Sequence, residues 1–243
     1  MSAARTFVVI PAFHEERQVG AVVRGVRQRL PEAKVVVVDD GSRDGTASAA
    51  LQAGASVIRM PVNSGYGVAL QTGLIWARRH EAEVVITMDA DGQHDAAETP
   101  KILAPVLSGE ADLVLGSRYL NHGAGYRVSF LRRLGSRFFA VLVSRLIGQR
   151  ITDPTTGFQA MNAKALELYV NLREFPEQTP DANLIVYASL RHCRIVEAPV
   201  VMHADQGPSS MHGGLGAVFY VPRMLISIAS VLFSARAQDT VAG

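Results

Sequence analysis

The run Lys34–Val38, leading straight into Asp39 and Asp40, constrains the fold more than any other stretch of this chain. Val35 to Val38 are consecutive β-branched residues with no polar alternation. A strand of this kind is buried on both faces, which is the environment of a parallel sheet covered by helices. The neighbouring sequence alternates to match. Thr6–Pro11 is an apolar strand, and Glu15–Leu30 has helical spacing through Val19, Val22, Val23 and Val26. Asp44 or Thr46 can cap a helix ending near Gly54. Ser56–Met60, Glu83–Met88 and Asp112–Gly116 follow as strands, with helices predicted over Gly67–His80 and Glu98–Leu107. Repeated strand–helix units of this kind predict an α/β fold with a mostly parallel sheet flanked by helices.

In such a fold, ligands sit beyond the carboxyl ends of the strands. Pro11–Glu15, Asp39–Asp44 and Asp89–Gln93 fall there. The second half is less regular. Helices are predicted over Val128–Ile147, Ala163–Asn171 and Asp181–His192, the last capped near Thr179. Strands are predicted over Gly157–Met161 and Arg194–Val200, and a final helix after Gly213 and Gly214. The chain shows no internal repeat, low-complexity tract or linker. Its 243 residues, 48% of them hydrophobic, are enough for one core, so 1–243 is read as a single domain.

The chemistry concentrates in Val84–Asp95, VVITMDADGQHD. Apolar residues lead to two carboxylates, Asp89 and Asp91, separated by the small Ala90. In extended chain, such positions point to one side. Two oxygen donors there suit a hard divalent cation, Mg2+ or Mn2+, with positions left for phosphate oxygens. The competing reading is a surface turn built from Asp and Gly. Asp39 and Asp40 can accept hydrogen bonds from a nucleobase or ribose, or can serve turn chemistry alone. Glu15 can meet a ribose, or favour the start of a helix. His14, His80, His94 and His122 lack metal-ligand spacing.

Bulk properties exclude several classes. A formal charge of +2 does not argue for nucleic acid, and none is expected as a partner. Cys193 is the only cysteine, so a reducing cytoplasm fits. The N-terminus lacks the pattern of a signal peptide. Between Leu215 and Ala235, Pro222 and Arg223 interrupt the apolar run, leaving well short of the ~20 residues a span needs. That segment is expected to be amphipathic, lying on a membrane, docked in the core, or pairing subunits. The first strand–helix turn, PAFHEERQVG, carries no dinucleotide fingerprint, which disfavours an oxidoreductase.

The segments IPAFHEE, VVDDGSRDGT, NSGYG, MDADGQHD, GSRY and TDPTTGFQAMN, in that order and spacing, resemble family 2 glycosyltransferases. The resemblance is nearest to the dolichol- or polyprenyl-phosphate mannose and glucose synthase branch. It implies a GT-A fold, with a nucleotide-sugar half over 1–120, an acceptor-side half over 121–212, and an apolar helix over 213–235. It also implies a UDP- or GDP-sugar donor. By this resemblance, Pro11, Phe13 and Glu15 match the first nucleotide-contacting loop, which usually has Tyr where this chain has Phe13. Val38 and Asp40 match the base-recognising strand end. Asp89, Ala90 and Asp91 match the metal and diphosphate motif, with Asp91 holding the metal and Asp89 in its outer coordination sphere or on the ribose, both counted as candidate metal residues. Gln93 matches a donor-sugar or phosphate contact. Arg118 matches a position near the phosphates, and Asp153 an acidic residue facing the acceptor.

The implied activity is inverting, metal-dependent transfer of a hexose to polyprenyl phosphate at the cytoplasmic membrane surface. A hydroxyl acceptor, on a glycan or other molecule, needs a base, and Asp153 is the candidate. A phosphate acceptor is already anionic, and Asp153 then positions other groups. Many relatives carry an Arg and a Lys in a diphosphate-binding segment where this chain has Asp205, Gln206 and Ser210 within HADQGPSSMH. That departure motivates a non-catalytic nucleotide-sugar-binding module as a further alternative. His203, His212, Arg127, Arg132 or Arg133 are candidate replacements. The arginine-studded helix Val128–Ile147 suits a lipid-phosphate or membrane-facing role, or that of an ordinary amphipathic helix. Phe175–Glu177 falls where related chains present an acceptor-side segment.

Overall fold

The computed structural model describes residues 4–120, 130–172, 175–177, 180–203 and 216–241. Strands β1 (Thr6–Ala12), β2 (Lys34–Asp39), β3 (Ser56–Arg59), β4 (Val84–Thr87), β5 (Leu113–Ser117), β6 (Gln159–Asn162) and β7 (Ile195–Pro199) form one sheet in the order β3-β2-β1-β4-β6-β5-β7. Every neighbouring pair is parallel except those made by β6, which runs antiparallel to both β4 and β5.

The valine run behaves as its composition demands. Val35, Val36, Val37 and Val38 are all buried. Val36 joins the core on one face of the sheet with Phe7, Val9 and Val85, and Val35 and Val37 join that on the other face with Val8, Ile10 and Ile86. Each buried valine contributes roughly 1.5–3 kcal/mol relative to exposure. Helices α1 (Val19–Arg29), α2 (Thr46–Gln52) and α4 (Thr99–Leu107) lie on the side of the second cluster, and α3 (Tyr66–Arg79) on that of the first. Gly73 permits the close approach of α3, since a Cβ there would fall 2.3 Å from Val9 Cγ1.

Helix α1 begins at Val19, not at Glu15. The preceding residues are committed to a turn in which Gln18 and Val19 donate to the Glu15 carbonyl. The helix predicted from Glu98 begins instead as a short 3-10 turn, Ala96–Glu98, that Asp95 caps by accepting from Ala97 N–H. Helix α4 follows with Pro near its start, where the missing N–H is harmless.

On the face of α3, the second half of the chain adds α5 (Phe130–Ile147), α6 (Ala163–Val170), α7 (Ala182–Leu190) and α8 (Gly216–Val241). Asn162 caps α6 by accepting from Ala165 N–H at 3.1 Å. The cap expected near Thr179 lies outside the described residues. Helix α8 packs on α7, burying Met224, Ile228 and Val231, while Leu225, Ile226 and Phe233 remain exposed. Among the described residues, no helix is long and apolar enough to cross a membrane.

Candidate active site

The carboxyl ends of β2, β1 and β4 lie side by side, with Ala12 opposite Asp39 and Val9 opposite Thr87. The loops after these strands therefore share one rim. Pro11 and Val38 are buried strand residues at its floor. Above them, the loop after β1 is tied to the loop after β2. His14 N–H donates to Ser42 Oγ (3.0 Å), Glu15 N–H to Thr46 Oγ1 (2.8 Å), and Arg43 N–H to His14 Nε2 (3.3 Å). His14 adopts φ 59°, unusual for a bulky residue, and its ring stacks on Phe13 with centroids 4.0 Å apart. Asp44 accepts from the Thr46 amide and hydroxyl at the start of α2, but the N-cap position is Gly45, not the expected Asp44 or Thr46, and it makes no side-chain cap bond.

Asp40 is buried and its carboxylate is engaged within the protein. Oδ1 accepts from Ser64 N–H (2.8 Å) and Oδ2 from Gly65 N–H (2.9 Å). It thus joins the end of β2 to the NSGYG turn that opens α3. Its neighbour Asp39 accepts from Ser42 N–H through Oδ1, and Arg59 Nε lies 3.4 Å from Oδ2.

Strand β4 ends at Thr87, and residues 90–92 form a turn. Strand alternation therefore does not orient Asp89 and Asp91, contrary to expectation. The turn sends them to different neighbours. Tyr66 Oη donates to Asp89 Oδ1 at 2.8 Å. Asp91 accepts from the Gln93 backbone N–H (2.9 Å) and from Gln93 Nε2 (2.6 Å), so Gln93 is locked against it. Gly92 supplies the positive φ of 77° that closes the turn. Ala90 is buried beneath it. The Asp89 side chain retains 31% exposure. Among the described residues no cluster of three His, Cys, Asp or Glu side chains comes together.

Behind the turn sits His94, whose sequence spacing is not that of a metal ligand. It is buried, its Nδ1 accepts from Asp89 N–H (3.0 Å), and its ring stacks on Phe158. Burial pushes its pKa down to about 4, opposed by the Asp91 charge. Its Nε2 lies 3.6 Å from Asp89 Oδ2. The neutral ring is therefore a strut of the turn.

Strand β6 brings the second set of residues to this rim. Because it runs antiparallel, its first residue, Gln159, pairs with Thr87 and Leu115, and the TDPTTG segment before it lands beside the carboxyl ends of β4 and β5. There Arg118 and Asp153 form a bidentate pair. Nε donates to Oδ2 and Nη2 to Oδ1, both at 2.7 Å, and Arg118 N–H adds a third bond at 3.1 Å. The side chains are 9% and 0% exposed. Glu197 of β7 accepts from Asp153 N–H and from the Thr152 amide and hydroxyl, all at 2.9–3.0 Å. Burial pushes its carboxyl pKa up. Nothing in the sequence marked Glu197, one acidic residue in an apolar strand. Gly157 completes the junction, since a Cβ there would lie 3.0 Å from Tyr66 Oη and 3.2 Å from Asp89 Oδ1.

Phe175–Glu177 packs on the same turn as Asp40, with Gly67 N–H donating to the Glu177 carbonyl at 2.7 Å. His203 lies 3.3 Å from Asp95, and its N–H donates to the Gln93 carbonyl. Asp205, Gln206, Gly207, Ser209, Ser210, His212, His122 and Arg127 lie outside the described residues.

Residues 7–169 match the profile of glycosyl transferase family 2. The chain belongs to that family. It is 33% identical over 169 residues to the polyprenol monophosphomannose synthase of Mycolicibacterium smegmatis, covering 67% of this chain and 63% of that one. It is 29% identical over 218 residues to the undecaprenyl-phosphate mannosyltransferase of Micrococcus luteus, covering 87% and 89%. Among solved structures, it is similar to glucosyl-3-phosphoglycerate synthase from Mycobacterium tuberculosis in complex with Mn2+, uridine diphosphate and phosphoglyceric acid. That match has a TM-score of 0.71 and 22% identity, and covers 96% of this chain and 79% of the other. The fold of this glycosyltransferase is thus GT-A, as the motifs implied.

Proposed function

We propose that this glycosyltransferase moves a hexose, with inversion, from a UDP- or GDP-sugar to polyprenyl phosphate, dolichyl or undecaprenyl, at the cytoplasmic face of a membrane. The observation that carries the acceptor class is the state of Asp153. A hydroxyl acceptor needs a base to take its proton. Asp153 is wholly buried, and both its oxygens accept from Arg118. A carboxylate buried in this way, with both oxygens turned to a guanidinium, does not face a hydroxyl acceptor. A phosphate acceptor arrives already ionised and requires no such step. Asp153 then acts by holding Arg118, whose guanidinium serves the phosphates. The two curated relatives act, by name, on polyprenol or undecaprenyl phosphate.

On the donor side, Phe13, Glu15 and Asp40 line the nucleotide pocket over Pro11 and Val38. Asp40 holds the 64–65 turn in place while its remaining lone pairs meet the base or ribose. Asp91 and Asp89, with Gln93 and the Ala90 backbone, would hold Mg2+ or Mn2+. The residues fit such an ion, because two partly exposed carboxylates on one turn match the way Mg2+ binds together with substrate phosphates. The ion supplies charge that offsets the diphosphate leaving group. The protein's own part is to fix the turn through Tyr66, Gln93 and His94, and to present Arg118 across from it. Helix α5, with Arg137 and Arg145 beside the exposed Phe138 and Val141, and the exposed apolar residues of α8 are the parts offered to the membrane surface.

The test is transfer from UDP- and GDP-sugars, with Mn2+ or Mg2+, to polyprenyl phosphate and to hydroxyl acceptors in parallel. The expected result is metal-dependent transfer to the lipid phosphate alone, abolished in a folded Asp91→Ala variant. Turnover unchanged in that variant would remove the metal assignment, and transfer to a hydroxyl acceptor alone would replace the acceptor.

A further inference from the structure

The NSGYG turn meets three parts of the site: the end of β2, the turn after β4 and the 175–177 segment. The amides of Ser64 and Gly65 are held by Asp40. Gly65 adopts φ 101°, which turns the chain into α3 at Tyr66. Gly67 N–H is held by the Glu177 carbonyl, and a Cβ at Gly67 would lie 1.8 Å from the Pro176 carbonyl oxygen. The backbone on both sides of Tyr66 is therefore pinned. Its ring lines a small internal cavity with Leu70, Leu74, Thr87, Tyr169 and Leu184, below the rim. Its hydroxyl reaches Asp89 Oδ1 at 2.8 Å, and Gly157 leaves the space for that contact.

We propose that Tyr66 is a positioning residue that sets the rotation of the Asp89 carboxylate for divalent-cation binding. The inference rests on the metal reading above. A carboxylate on a turn can adopt more than one rotation, and each unproductive orientation reduces ion affinity. A hydrogen bond to one oxygen from a fixed donor selects one orientation and holds the other oxygen in a defined place. Partners of this kind typically change metal affinity 10–100-fold when removed. The pinned backbone makes the donor rigid, which distinguishes it from a surface tyrosine.

The experiment measures Mn2+ binding in the presence of UDP or GDP, from the electron paramagnetic resonance signal of free Mn2+, for wild type, Tyr66→Phe, Asp89→Asn and the double variant. Transfer rate is measured against Mn2+ concentration in parallel. The expected result is Mn2+ affinity about 10-fold weaker in a folded Tyr66→Phe, with the rate recovering toward wild type at high Mn2+. On the Asp89→Asn background, Tyr66→Phe should add no further loss. Three results would overturn the proposal: unchanged Mn2+ affinity in Tyr66→Phe, a loss that persists undiminished on the Asp89→Asn background, or collapse of the fold in Tyr66→Phe. If wild type itself binds no Mn2+ with either nucleotide, the metal reading fails and the proposal falls with it. That outcome is distinct from a flat Tyr66→Phe response against a metal-binding wild type.

Discussion

Strand β5 carries an aspartate–arginine pair at each end, and the two pairs do different work. At its amino end, Asp112 accepts from Arg194 Nη2 (2.9 Å), the Arg194 amide, Asn162 Nδ2 (2.8 Å) and Lys164 Nζ (3.2 Å). The Arg194 and Lys164 side chains are largely exposed, so the cluster is a surface clasp joining β5, β6 and β7. At the carboxyl end, Arg118 and Asp153 are both buried and lie beside His94 and Glu197. A buried ion pair is weak evidence of stabilisation, because desolvation offsets the attraction. A clasp can be solvated without harm to its purpose. A buried pair at the rim instead holds its charge in one orientation, the part our proposal gives to Arg118.

The comparison breaks most sharply on removal of Arg118. Arg118→Ala leaves Asp153 buried and uncompensated, and is expected to cost about 3–5 kcal/mol in urea denaturation, with loss of transfer. Asp112→Ala leaves only exposed cations, which regain water, so its expected cost is smaller, about 1–3 kcal/mol. That variant also tests pH dependence. The hydrogen bond from Arg194 heads the interactions that hold the Asp112 pKa far below its ordinary value. Its stabilising contribution is therefore complete above the unfolded pKa of about 3.9 and is lost as pH falls below it. Asp112→Ala should flatten this acid limb, as measured by urea midpoints across that range. Glu197 has the opposite sign and the smallest expected effect. Its folded pKa is raised, so its contribution is present below the unfolded value of about 4.3 and declines as pH rises. Glu197→Gln should remove that decline, visible as a shallower change of the urea midpoint with pH.

Much of the donor side was legible along the chain because its signals are local. The valine run and the apolar strand before Asp89 declare buried parallel strands, and the carboxyl-end rule then places Pro11–Glu15, Asp39–Asp44 and Asp89–Gln93 together. The motif series identified the family. Strand alternation does not reach Asp89 and Asp91, because the strand ends two residues before the first of them and a turn takes over. The partners of Asp40, the 64–65 amides, and the buried strut of His94 were invisible, since a carboxylate or imidazole looks the same in sequence whether it meets a ligand or the protein.

The strand–helix alternation of the first half, the membership of the family and the candidate carboxylates are all written in local residue patterns. The reversal of β6 between β4 and β5, and with it the arrival of Asp153 and Gly157 at the rim, emerges from long-range packing. The physical reason is range. Strand β6 is only Gln159–Asn162, too short for a periodic signal, and its direction is set by pairing with strands more than forty residues away. The pairing of Arg118 with Asp153, and of Asp153 with Glu197, follows from that same long-range closure.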